Sequence, residues 1–119
     1  MDDGAKVKTE YEQLIQRYVD AVSKGHAEAV TELFADDAVI LEPGLPAVIG
    51  RQAILEVYRD WLGDGVPVNV EIRDVQDGGS VLYGTGTFDA GNGPGNWLQV
   101  LMRQPDGRLL IHRICSNRI

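Results

Sequence analysis

Val66-Pro67-Val68-Asn69-Val70-Glu71-Ile72-Arg73 is the stretch where the chain changes period. Val66, Val68, Val70 and Ile72 alternate with Pro67, Asn69, Glu71 and Arg73. Apolar residues two apart share one face of a strand, so the pattern predicts a half-buried β-strand. Upstream, helical spacing dominates. Tyr11, Leu14, Ile15, Tyr18, Val19 and Val22 predict a helix from Thr9 to about Lys24, with Gly25 as its stop. A short second helix is predicted from Ala27 to Phe34, burying Val30, Leu33 and Phe34. A third is predicted over Arg51 to Leu62, with a stripe of Ile54, Leu55, Tyr58, Trp61 and Leu62. Between them Ala38 to Glu42 reads as a strand, broken by Pro43-Gly44-Leu45-Pro46.

Downstream, every periodic segment is a strand. Asp77-Gly78-Gly79 reads as a hairpin turn and Ser80 to Phe88 as the next strand. A glycine-rich loop, Ala90 to Gly95, leads to a strand over Trp97 to Arg103. Gln104-Pro105-Asp106-Gly107 is a turn, and Leu109 to Ser116 is the last strand. Helices that are grouped rather than interleaved with strands predict an α+β fold, with helices on one face of an antiparallel sheet. A strongly curved sheet closed by helices makes a cone, and its interior is a natural ligand pocket.

The chain has 119 residues, which suits a single domain spanning 1–119. Hydrophobic residues make up 44% and charged residues 24%, as in ordinary soluble proteins. The formal net charge is -7, and no run of Lys or Arg exceeds two residues. Such a surface repels phosphate backbones and anionic bilayers, so neither nucleic acid nor membrane is expected as a partner. Cys115 stands alone, which excludes an internal disulfide and a CxxC metal site, and it is expected to be a small buried residue. The two His residues lack ligand spacing, so no metal site is expected. The N-terminus, MDDGAKVKTE, has no apolar core and is not expected to be a signal peptide. A cytoplasmic protein is the simplest expectation.

Several residues carry possible chemistry. Glu42 ends an apolar strand; in a dry pocket desolvation would tune it as a general base, and at a wet strand end it would be an ordinary carboxylate. Tyr18 lies on the apolar face of the first helix, as a hydrogen-bond donor to a developing oxyanion or as a core residue. Gln99 and His112 lie on strands, where each could face the pocket or solvent. Phe34, Tyr58, Trp61 and Trp97 are the candidate substrate-binding walls, with packing as the plain alternative. His26, Asp36 and Asp37 read as structural, the Asp pair at a helix-to-strand turn.

The segments Arg17-Tyr18-Val19-Asp20-Ala21 and Leu33-Phe34-Ala35-Asp36-Asp37-Ala38-Val39, then Glu42-Pro43 and Gly50, resemble the opening of ketosteroid isomerases. Trp97-Leu98-Gln99-Val100, Pro105-Asp106-Gly107-Arg108 and His112-Arg113 resemble the broader SnoaL-like members of the same NTF2-like superfamily. The resemblance implies an NTF2-like cone, with three N-terminal helices packed on a curved, mostly antiparallel sheet. It implies Tyr18 as oxyanion donor, Tyr58 as its support, Glu42 at the general-base position, Gln99 at the second donor position, and His112 on a pocket-facing position of the last strand. Glu42 is one methylene longer than the family's Asp, and Gln99 has no tunable proton. The implied activity is therefore that of a small-molecule enzyme of isomerase or cyclase type. It would abstract a proton next to a carbonyl of a small hydrophobic ligand without a cofactor. A hydrolase or dehydratase using Glu42, His112 and water is one alternative. A non-catalytic ligand-binding or oligomerisation module is another. A homodimer through the outer sheet face is expected, because the second face of the strands still carries Val, Leu and Ile.

Overall fold

In a computed structural model described over residues 3–119, the helix α1 (Asp3–Ser23) leads into the short helix α2 (Ala27–Thr31). The strands β1 (Phe34–Leu41) and β2 (Val48–Ile49) precede the helix α3 (Arg51–Leu62). A meander follows: β3 (Asn69–Asp77), β4 (Val81–Asp89), β5 (Pro94–Arg103) and β6 (Leu109–Arg118). Residues 1 and 2 lie outside the described residues, and the expectation about the N-terminus rests partly on them. Among the described residues no helix is long and apolar enough to cross a membrane.

The six strands form one mixed sheet in the order β2-β1-β6-β5-β4-β3. The meander is antiparallel throughout, as expected, but β1 runs parallel to β6. The sheet is thus mostly antiparallel, with this one parallel pairing: the first and last strands meet across the whole intervening chain, and hairpin logic does not govern their direction. One correction concerns Phe34, which begins β1 instead of ending α2. Its backbone pairs with Ile111, and Arg51 Nη2 donates to its carbonyl at 2.6 Å. Arg51 also pairs with Asp36 at 2.9 Å, so one side chain ties the start of α3 to β1. Asp36 and Asp37 accordingly belong to β1, not to a turn.

The core lies between the helices and the inner sheet face. Tyr11, Leu14, Ile15 and Val22 of α1 and Ile54, Tyr58 and Leu62 of α3 are buried at helical spacing. Gly84 and Gly86 on β4 give the aromatic side chains room to lie close to the sheet. A Cβ on Gly84 would fall 2.9 Å from the Tyr11 hydroxyl, and one on Gly86 would fall 2.5 Å from Trp97 Cζ2. Tyr11 and Trp97 stack side by side, centroids 6.4 Å apart and planes within 14°.

A bulge sets the last strand. Val100 pairs with Arg113 and Leu101 pairs with Ile111, leaving His112 as the extra residue. A bulge shifts the alternation by one residue. Ile111 and Ile114 are therefore both buried although three positions apart, and Ser116 and Arg118 continue the inward face while Cys115 points outward and is exposed. The expectation of a buried Cys115 is corrected by that outward position.

Candidate active site

Alternation along β1 puts Ala38 and Ile40 on the buried face, and Glu42, the first residue past the strand, keeps that parity. Glu42, Pro43, Gly44 and Leu45 then turn sharply, with the Leu45 N–H donating to the Glu42 carbonyl at 3.2 Å. Pro43 supplies the fixed φ at the second position and Gly44, at φ 80°, the left-handed conformation at the third, the requirements of a type II turn. The Glu-Pro-Gly sequence thus holds the carboxylate at the rim of a cavity.

That cavity has two adjoining parts sharing Tyr18, Glu42, Tyr58, Val68 and Phe88 in their walls. The inner chamber, about 70 Å³, adds Ile15, Val70, Trp97, Gln99, Ile114 and Ser116. The outer chamber, about 420 Å³, opens past Trp61, Leu45, Asn92 and Arg118. Of the expected catalytic residues, Tyr18, Glu42 and Gln99 meet here. Of the expected walls, Tyr58, Trp61 and Trp97 line it.

Tyr18 and Tyr58 form a pair, hydroxyl to hydroxyl at 2.7 Å, with rings edge to face at 84°. Burial drives both phenols upward. Tyr18 is pushed to about 12 by desolvation against the opposing Tyr58 hydrogen bond, and Tyr58 rises well above its ordinary value. Both are neutral at physiological pH, so each offers one proton. Burial also raises the Glu42 carboxyl above its ordinary 4.5. The nearby Ser116 hydroxyl and the positive charge of Arg118 oppose that rise. Gln99 Oε1 is buried and has no hydrogen-bond partner among the described residues, whereas Ser116 Oγ, equally buried, is turned toward the Glu42 carboxylate. Buried polar atoms without partners are uncommon, and the Gln99 amide lies where a ligand could meet it. The Gln99 backbone is held from behind, its carbonyl accepting from the Tyr11 hydroxyl at 3.1 Å. Trp97 is an apolar wall only, since its Nε1–H donates to the Thr87 carbonyl at 3.0 Å.

Two expected residues lie elsewhere. His112 is the bulged residue and turns away from the cavity, with Nε2 3.3 Å from an Asp37 carboxylate oxygen and 3.2 Å from Arg113 Nη1. A count by regular alternation gave it the parity of Ser116, and the bulge cancels that count. Phe34 packs behind Tyr58, ring centroids 6.0 Å apart, in the core and not on the cavity wall. Conversely, Phe88, Asn92, Ser116 and Arg118 line the cavity without having been singled out from the sequence. Ser116 and Arg118 share the parity that made His112 a candidate, so the same alternation could have found them; the bulge removes His112 from that face and leaves Ile114, Ser116 and Arg118 on it. Among the described residues no group of three or more His, Cys, Asp or Glu is placed to hold a metal ion.

The family model of the SnoaL-like domain matches residues 15–112. Among solved structures, a ketosteroid isomerase-like protein from Erwinia carotovora atroseptica is 23% identical, covering 91% of this chain and 92% of that one, with a TM-score of 0.77. An NTF2-like protein with a cystatin-like fold from Novosphingobium aromaticivorans is 21% identical over 94% of this chain and 81% of that one, TM-score 0.80. An NTF2-like protein of unknown function from Shewanella oneidensis is 15% identical over 92% and 97%, TM-score 0.80. At these identities the structures establish the fold alone, and together with the family match they account for a six-stranded mixed sheet wrapped by helices around a cavity. The chain belongs to the SnoaL-like domain family and has the NTF2-like, ketosteroid isomerase-like fold.

Proposed function

We propose that the chain is a small-molecule enzyme of isomerase or cyclase type that abstracts a proton next to a carbonyl. The observation that carries this reading is the sharing of one cavity by a half-buried carboxylate, Glu42, and a hydrogen-bonded pair of neutral phenols, Tyr18 and Tyr58. Desolvation moves the Glu42 pKa toward the values at which a carboxylate accepts protons efficiently. The electrophile is supplied by Tyr18. When Tyr58 donates to Tyr18, the Tyr18 proton is free for the oxygen on which charge develops. Gln99 is the second donor through its amide, and Tyr58 is a positioning residue. Base and donors all come from the chain, so the reaction as proposed calls for no cofactor.

The alternative in which Glu42 and His112 share a water loses its support, because His112 pairs with Asp37 outside the cavity. A module that serves only for oligomerisation is disfavoured by the cavity itself, whereas a non-catalytic ligand binder would share it and is told apart by the exchange assay below. The partner proposed is a small, largely apolar carbonyl compound. A second copy of this chain is proposed on the outer sheet face, where Tyr83 and Leu98 lie 46% and 43% exposed on adjacent strands.

The test is Glu42→Gln, which keeps shape and removes the proton acceptor. General-base catalysis contributes on the order of 10²–10⁴-fold, so α-deuterium exchange into a bound ketone should slow by about that factor while binding persists. Full exchange activity in the variant sinks the base assignment.

A further inference from the structure

Arg118 lies near enough to act on the Glu42 charge, yet the chemistry above gives its guanidinium no ligand to bind. It extends the inward face of β6 beyond Ile114 and Ser116, and it lines the outer chamber only. Glu42 and Arg118 are the charged side chains among the cavity residues. Four other arginines are committed to carboxylates: Arg51 to Asp36, Arg59 to Glu28, Arg103 to Glu10 and Arg108 to Asp106, at 2.7–3.1 Å. Arg118 has no such ion pair among the described residues. Its one hydrogen bond is long, Nη1 to the Asn92 carbonyl at 3.4 Å. A guanidinium fork offers five donors in the geometry of a carboxylate, and this side chain is exposed where it lines the outer chamber.

We infer that Arg118 anchors a carboxylate of the substrate at the cavity mouth, which makes the substrate class a keto acid rather than a neutral ketone. The inference rests on the proposed function only for the position of the carbonyl. The inner chamber, at about 70 Å³ the smaller of the two, admits a carbonyl-sized head. Its donors, Tyr18 and Gln99, suit that oxygen. The bulk of the ligand then lies in the outer chamber against Trp61, Leu45 and Val68, with Arg118 in the same lining. A single guanidinium with Glu42 nearby matches a monoanion better than a dianion. The protein carries a net charge of -7, so an anion gains nothing from the overall field and must be held by this local contact.

The test is calorimetric titration with benzoylpropionate and with its methyl ester, which differ in charge and share the aryl ketone. A charge-assisted contact to arginine corresponds to about tenfold in affinity, so the acid should bind about tenfold tighter than the ester. Arg118→Gln should remove that preference and leave the ester unchanged, and Arg118→Lys should keep part of it. Arg118 is exposed at the end of β6, so neither variant disturbs the core. Equal affinities, a preference that survives Arg118→Gln, or no binding of either compound at millimolar concentration overturns the inference. Base chemistry is read separately, as Glu42-dependent deuterium exchange on the ester. Exchange without acid preference removes the anchor and spares the base, whereas acid preference without exchange does the reverse.

Discussion

Removing one hydroxyl of the Tyr18–Tyr58 pair strands the other. The two oxygens lie 2.7 Å apart, and Tyr58 is only 4% exposed. A buried polar group left without its partner costs about 1–3 kcal/mol, whereas removing both partners together is close to neutral beyond the lost contacts. The cavity beside Tyr18 admits water, which places the single substitutions toward the lower end of that range. Tyr18→Phe and Tyr58→Phe should therefore each destabilise by about 1–1.5 kcal/mol. The double variant should cost about the same as one single, giving a coupling of about 1 kcal/mol. Urea unfolding followed by tryptophan fluorescence near neutral pH measures all four corners. Both hydroxyls are protonated there, since Tyr18 is pushed up to about 12 and Tyr58 well above its ordinary value. Additivity within about 0.3–0.5 kcal/mol would refute the reasoning, because independent residues behave that way. The same variants also separate roles. Loss of an oxyanion donor costs on the order of 10²–10³-fold in turnover, less where Gln99 still donates, so Tyr18→Phe should fall below that ceiling and Tyr58→Phe should cost less again.

Glu42 has its pKa raised in the folded protein by burial, so the stability linked to it is fully present below the unfolded value near 4.5 and is lost as pH rises through the folded value. Glu42→Gln should accordingly raise the melting temperature near neutral pH and change it little in acid; the opposite order would show that the carboxylate is not desolvated. In the wild type, deuterium exchange should rise with pH along an acid limb centred above 4.5, and a midpoint below that value would contradict the burial of the base. His112→Ala breaks a pair with Asp37, itself 77% exposed and solvent-screened, so it should change stability little and leave exchange intact; a large loss of exchange would return His112 to the site. Sedimentation should show a dimer at micromolar concentration that Leu98→Glu converts to monomer, and a monomeric wild type would remove the second copy from the outer face.

The elements of this fold are largely legible in local pattern. The steps among Tyr11, Leu14, Ile15, Tyr18 and Val22 make one buried helical face, and the alternation through Val68, Val70 and Ile72 makes one strand face, because side-chain direction repeats with backbone geometry. Glu-Pro-Gly-Leu encodes its own turn, so Glu42 could be placed at the end of a strand from four residues. Tyr18 and Tyr58 follow from the same helical stripes. What local pattern cannot encode is the relation between strands distant in sequence. The parallel pairing of β1 with β6 joins residues more than 70 positions apart, and the bulge at His112 exists only in the mismatch of β6 with its neighbours. That one extra residue brings buried Ile111 into phase with Ile114, Ser116 and Arg118 on the cavity side and takes His112 off it. A strand's alternation is a property of its own residues, but its phase is set by the partner it pairs with. The sequence therefore determined which side chains were available to the site, and the tertiary structure decided which of them face it.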